Sequence, residues 1–229
     1  MPEPEWSRIG TTTVKDTVSA ELDNGEIKEA GKVDLFVEMW EVKNDSRDGE
    51  NYIACTPRAG IYPGTTYAAG WDGTENNETT ITQDWDDNES GGYEITDWGP
   101  TTPKTGSLDW SMSASYTPGG VQGGVSASYD VPHIAREIES VPNETVAHTY
   151  TYPSSPFQLL DKEGKNQFVE LENMGERWIK NAEDDEKMLS VSLFHEFYNR
   201  YSPADYWNYT DLPVYPTFET SVSCERNHL

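Results

Sequence analysis

Residues 33–42, VDLFVEMWEV, put Val33, Leu35, Val37 and Met39 at one parity and Asp34, Phe36, Glu38 and Trp40 at the other. Alternation with a period of two in β-branched and aromatic residues predicts a strand with one buried face. Strands are also predicted at 145–152, TVAHTYTY, at 166–172, NQFVELE, and at 188–198, MLSVSLFHEFY. In the last, Leu189, Val191, Leu193 and His195 oppose Met188, Phe194 and Glu196. Residues 52–71 hold Pro57, Pro63, Gly60, Gly64 and Gly70 and predict short strands around turns. Helical spacing is rare. Ile134, Ile138 and Val141 after Pro132 predict a two-turn helix over 132–141. Residues 175–188, GERWIKNAEDDEKM, read as either a short helix or a strand ending in an acidic loop. Residues 202–209, SPADYWNY, read as one helical turn.

The clearest alternation is SLDWSMSASYTPGGVQGGVSASYDV, residues 107–131. A turn at Gly119-Gly120 pairs Leu108 with Val131, Trp110 with Tyr129, Met112 with Ala127 and Ala114 with Val125, and lays Tyr116 over Gly123. Gly123-Gly124 is a competing turn. Each arm is then about 11 residues, the length of a transmembrane β-strand. A pore-forming hairpin is apolar toward lipid and small and polar toward the lumen. Here the apolar face includes Ala114, Gly123 and Ala127, and its aromatics lie mid-strand. The expectation is therefore a soluble antiparallel sheet with one buried face, Leu108, Trp110, Met112, Tyr129 and Val131 in the core, and no transmembrane insertion.

Charge changes the picture of where such a sheet lives. Sixteen Lys and Arg stand against 41 Asp and Glu, a net charge of −25. The acids are spread from Glu3 to Glu225 rather than gathered in a patch. Dispersed acidity with scarce lysine resembles proteins of extremely halophilic archaea and their viruses, and implies salt cations at the surface. Without a basic stripe, nucleic-acid binding is not expected. No apolar run approaches the roughly 18 residues of a spanning helix. The start, MPEPEWSRIG, lacks the basic-then-apolar order of a signal peptide. Between Arg58 and Lys104 there is no basic residue, and residues 72–104 read as an acidic, loop-rich, protruding excursion.

Chemistry is sparse. His133, His148, His195 and His228 share no metal-ligand spacing. Asp84, Asp86 and Asn88 resemble the start of a calcium loop, but Glu89 holds the glycine position and Ile95 the twelfth. Glu38 and Glu41 fall on opposite faces of a strand, so they make no catalytic carboxylate pair. No nucleophile elbow, P-loop or dinucleotide pattern occurs. No catalytic, cofactor-binding or metal-binding residue is expected, and the chain does not read as an enzyme. Cys55 and Cys224 fit no zinc or redox spacing and read as unpaired small side chains, with a disulfide as the alternative. The sequons at Asn44, Asn77, Asn88, Asn143 and Asn208 are those expected by chance in an Asn- and Thr-rich chain.

The whole chain, 1–229, reads as one all-β domain, an antiparallel sandwich of jelly-roll type with little helix. In size, β content and polar excursion it resembles the single jelly-roll major capsid proteins of icosahedral, internal-membrane haloarchaeal viruses. That resemblance implies a virion structural protein, a capsid subunit assembling with copies of itself and with other capsid subunits in high salt. Its alternatives are a turret, spike or tail component, a secreted haloarchaeal sandwich at the cell surface, and a β-pore-forming toxin. The ends fit an assembly role. Residues 1–8 and 213–229 are too short to make a core alone, yet carry Trp6, Tyr215 and Phe218. They read as arms laid on neighbouring subunits, with Cys224 near the boundary.

Overall fold

The computed structural model describes residues 5–21, 25, 27–43, 49–64, 74–86, 92–99, 109–117, 120–128, 135–141, 144–152, 168–180, 183, 185–199 and 215–226. Three strands form an opening meander: β1 (Glu5–Glu21), β2 (Ile27–Lys43) and β3 (Glu50–Pro63). Then follow β4 (Thr74–Asp84), β5 (Gly92–Gly99), β6 (Asp109–Thr117), β7 (Gly120–Ser128), β8 (Ala135–Val141), β9 (Thr145–Thr151), β10 (Val169–Glu172), β11 (Met174–Lys180), β12 (Lys187–Asn199) and β13 (Thr217–Glu225). The protein is an all-β antiparallel sandwich. One layer has the order β1-β2-β3-β11-β5, with β10 also pairing β3. The other has the order β13-β12-β4-β9-β8.

The core lies between the layers, where alternation placed it. Val33, Leu35, Val37 and Met39 of β2 are buried, while Asp34, Phe36, Glu38 and Trp40 are partly exposed on the outer face. Leu189, Val191, Leu193 and His195 of β12 face them from the other sheet and are fully buried. Met188 is buried as well, because the register shifts between Lys187 and Leu189. The layers approach closely at two glycines. A Cβ at Gly31 would stand 2.5 Å from the Phe197 ring, and one at Gly175 would stand 2.9 Å from Gln83 Oε1.

Several elements differ from the sequence reading. Residues 135–141 form strand β8, paired along its length with β9, rather than a helix. Residues 50–63 are one continuous strand rather than short pieces. Pro57 is tolerated mid-strand because its carbonyl faces Asn173, at the junction of β10 and β11. A strand residue's N–H and C=O point to the same side, so the missing donor falls where the ladder changes partner. Of the two readings of 175–188, the strand is observed, β11, ending before an acidic stretch. The span 72–104, read as loop-rich, contains β4 and β5, and β4 is the central strand of its sheet. The single turn over 202–209 lies outside the described residues.

The described strands nearest the two ends are β1 and β13 of this same subunit. Trp6 of β1 pairs with Val42 of β2, and its ring lies 5.8 Å from that of Tyr52. Phe218 and Cys224 of β13 are buried in the core. Tyr215 is 48% exposed, with its ring 5.4 Å from Tyr198. Phe218 is therefore covered by its own subunit, while Trp6 and Tyr215 keep part of their surface exposed.

Candidate functional site

The hairpin β6–β7 stands apart. Its two strands pair with each other along their whole length and with no other described strand, making a separate two-stranded sheet. All the other described strands belong to the two layers. The register differs from the expected one. Trp110 pairs with Ala127, Met112 with Val125, Ala114 with Gly123 and Tyr116 with Val121, leaving Pro118 and Gly119 between the ends. Moving the turn by one residue slides the partners by two, so the parity of each position is kept. Positions 110, 112, 114 and 116 thus still share a face with 121, 123, 125 and 127. The opposite face carries Ser111, Ser113, Ser115, Gln122 and Ser126. The side chains expected as core, those of Leu108, Trp110, Met112, Tyr129 and Val131, lie outside the described ones.

The hairpin is rooted on β5, the edge strand of the first layer, and β7 packs beside it. β5 is held by β11 through a ladder that slips twice, at Glu176/Arg177 and at Arg177/Ile179. Broken registers weaken an edge. Side chains compensate for this. Glu176 is fully buried, and its Oε2 accepts the Tyr52 hydroxyl at 2.6 Å. The Thr96 hydroxyl of β5 lies 2.9 Å from that of Tyr52 and donates to the Glu176 carbonyl at 3.1 Å. One acidic residue therefore ties β3, β11 and β5 together. Burial pushes its carboxyl up to about 7, the Tyr52 hydrogen bond pulling down and Asp97 adding to the rise.

A polar layer continues between the sheets. The Gln83 side chain of β4 donates to Asn173 Oδ1 at 2.9 Å, and Asn173 Nδ2 donates to the Ile81 carbonyl at 3.0 Å. Trp85 Nε1 donates to Gln83 Oε1 at 3.1 Å. Arg177 donates to the Trp85 carbonyl, its guanidinium held below its ordinary pKa by burial, against the pull of Asp86 and Glu144. The Tyr150 hydroxyl donates to the Glu172 carbonyl at 2.7 Å. These contacts staple one sheet to the other with directional bonds. Sequence reasoning passed over Glu176 and Arg177. Their signal was a charged pair inside MGERWIK, a strand whose first six residues are all buried.

The histidines do not converge. His195 is buried beside Phe197, with its Nδ1 2.8 Å from Thr79 Oγ1, and burial pushes it down to about 3. His148 is buried in β9. Among the described residues, no three His, Cys, Asp or Glu are placed to hold a metal ion. Cys55 and Cys224 are free, buried, and in contact across the two sheets. Of the four residues expected at a subunit interface, Trp6, Tyr215, Phe218 and Cys224, the structure brings no pair into one cluster except Phe218 and Cys224, which share the core.

No protein-family model matches the chain, and no curated protein matches it. Solved structures resemble it in shape, two of them as follows. One is described as "Pore forming protein", at a TM-score of 0.48 and 10% identity, covering 98% of this chain and 100% of that one. The other is the Clostridium perfringens NetB toxin in the membrane-inserted form, at 0.38 and 11%, covering 94% of this chain and 100% of that one. Both scores lie below 0.5.

Proposed function

We propose that this chain is a β-hairpin pore-forming protein that acts outside the cell making it. The observation that carries the reading is the separation of β6–β7 from both layers. A hairpin whose ladder is complete within itself can leave the sandwich without breaking a main-sheet hydrogen bond. Each strand is nine residues long, at the lower end of the roughly 9–11 needed to cross a bilayer. One parity is apolar; the other is serine, glycine and glutamine, which suits a water-filled lumen. Alanine and glycine on the apolar parity make it a weak lipid face, so insertion relies on closing a barrel. In lipid a lone hairpin would leave two unpaired edges, and several copies must close them. The partners are thus copies of this chain, and salt that screens the −25 charge lets them approach.

Dye release from liposomes in molar KCl tests the reading. The wild type should leak contents once oligomers form. Met112→Arg and Val125→Arg put a charge at mid-strand on the apolar parity, at a cost of about 2–4 kcal/mol at the bilayer midplane. Both should abolish leakage, and a cooperative melt of each variant checks that the soluble fold is kept. No leakage by wild-type oligomers, or equal leakage by the arginine variants, would sink the proposal. The capsid reading makes the opposite demand, assembly without lipid and without leakage.

A further inference from the structure

On the outer face of the first layer lies a groove of about 420 Å³, within the roughly 300–1,000 Å³ range of small-ligand pockets. Its chemistry is mixed in a specific way. Lys15 and Lys32 line it, with Asp16, Asp34 and Thr17 between them and Tyr62 at one side. Strand register brings these together: Lys15 sits opposite Asp34, Thr17 opposite Lys32, and Lys32 opposite Tyr62. Behind Tyr62 stands Phe168, its ring 4.4 Å away and stacked, and 42% exposed. Gly60 gives that ring its place, since a Cβ there would come within 3.3 Å of it.

Each ligand class meets this lining differently. A bare anion such as sulfate would meet Asp34 and gain nothing from Tyr62. A cation would meet two lysines. A neutral sugar would use the ring and Asp34 and take only neutral-acceptor hydrogen bonds from the lysines. A sugar that bears a carboxylate uses all of them. Its hydroxyls donate to Asp34, its C–H face lies on the aromatic ring, and its carboxylate meets a lysine ammonium. Lys15 already bonds Asp34 at 3.3 Å, and both are partly in water, so that pair can open to admit a ligand at little cost.

We propose that this groove binds one acidic sugar residue of the uronate type, as presented on a cell-surface glycan. The inference stands whether or not the hairpin inserts. It also has a geometric consequence. β5 runs parallel to β3 and ends at Gly99, level with Met174, one step beyond the Gly175–Cys55 pair. The chain therefore leaves β5 toward the Gly60–Tyr62 end, where the groove lies. A bound surface sugar would hold that end of the molecule toward the cell.

The test is saturation-transfer NMR on the full chain with glucuronate, glucose and inorganic sulfate at matched salt. Glucuronate should bind saturably, and the other two roughly tenfold more weakly or worse. Lys32→Gln and Tyr62→Ala should each weaken glucuronate about tenfold. Lys15→Gln alters an exposed side chain, keeps the fold, and should weaken it likewise. A soluble polyuronate and vesicles bearing a glucuronate-headed lipid are run in parallel; binding to either supports the site, and the tighter names the source. Sulfate binding as well as glucuronate overturns the sugar assignment. Lysine variants that bind like wild type overturn the location, and absence of saturable binding overturns both.

Discussion

Tyr52 donates its hydroxyl to Glu176 Oε2 at 2.6 Å, inside the layer that carries the hairpin. The other carboxylate oxygen, Oε1, is buried without a hydrogen-bond partner. Burial and the orphaned acceptor favour the protonated acid, against the pull of the Tyr52 hydrogen bond. Glu176 is raised to about 7 in the fold from an ordinary 4.5. Between those values the folded state holds the proton more tightly than the unfolded chain. Stability from this group is therefore full below about pH 4.5 and is lost as pH rises to about 7, then stays level. His195, held near 3, acts in the opposite sense, losing stability as pH falls from about 6.5.

A comparison of wild type with Glu176→Gln isolates the first effect. The variant is neutral at every pH and keeps an acceptor for Tyr52. It should gain on the wild type as pH rises from about 4.5 to 7, by on the order of 2–3 kcal/mol at about 1.4 kcal/mol per unit. Urea midpoints at a series of pH values measure it. A difference that does not change with pH would show that Glu176 titrates in the fold as it does in the unfolded chain.

Gly31 is a second point of strain-free contact that has no slack. An added Cβ would lie 2.5 Å from both Phe197 Cζ and the Tyr62 carbonyl oxygen. The ring can tilt, but the carbonyl belongs to the neighbouring strand. Gly31→Ala should cost about 1–3 kcal/mol as an overpacked core site. Gly25 has nothing within 4 Å of its Cβ, but its φ of +78° is itself a glycine conformation. Its replacement is not a neutral control. Thr13→Ala, on the exposed face of β1, should shift the urea midpoint far less.

Much of this architecture was legible because burial followed apolar side chains. β2 and β12 alternate Val, Leu and Met against polar residues, and those faces are the core. β4 hid because its buried positions are mostly polar: Thr74, Asn76, Thr79 and Gln83, with Ile81 the apolar exception and Trp85 just beyond its end. Burial there is met by hydrogen bonds, as from Thr74 Oγ1 to the Ala30 carbonyl and from Gln83 to Asn173. Hydropathy cannot see partners supplied from 30 or more residues away. β8 hid for another reason. IAREIESV, residues 134–141, fits both a period of two and the i, i+4 spacing of Ile134 and Ile138, and only the pairing of 135–141 with β9 decides between them. The hairpin's parity was readable, but its separation from both sheets was not, since alternation reports a face and says nothing of what covers it. Glu176 was unreadable as a tie because its partners, Tyr52 and Thr96, come from two other strands.

The charge gives a prediction about conditions. At −25 the folded chain repels itself more than the expanded one does. Screening shortens from about 30 Å at 0.01 M salt to about 3 Å at 1 M. Cross-strand ion pairs such as Arg8–Glu38, at 3.1 Å with Arg8 exposed and Glu38 half-buried, would be weakened by salt but contribute about 1 kcal/mol each. Repulsion dominates, so the melting temperature should rise steadily from dilute buffer to molar KCl. A flat or falling melting curve across that range would show that the pairs outweigh the net charge.

Cys55 and Cys224 give the last prediction. Cys55 lies on β3 and Cys224 on β13, one in each layer, and the two thiols meet in the core. Burial is the main cause that pushes the Cys55 thiol well up, with the Cys224 side chain adding to it. A thiol kept protonated and dry is a poor nucleophile, because the thiolate is the reacting form. A thiol reagent such as DTNB at about pH 8 should therefore leave both cysteines unmodified in the native protein. Denaturant should release both together, since each is walled by the same two sheets. Labelling should follow the loss of β-sheet circular dichroism with the same midpoint in urea. If Cys224 reacts well before the unfolding midpoint, then β13 peels from β12 on its own, and the edge of the second layer is a separate, weaker unit. If Cys55 reacts early as well, the two layers part before they unfold. Coincident midpoints show instead that the sandwich opens as one cooperative body.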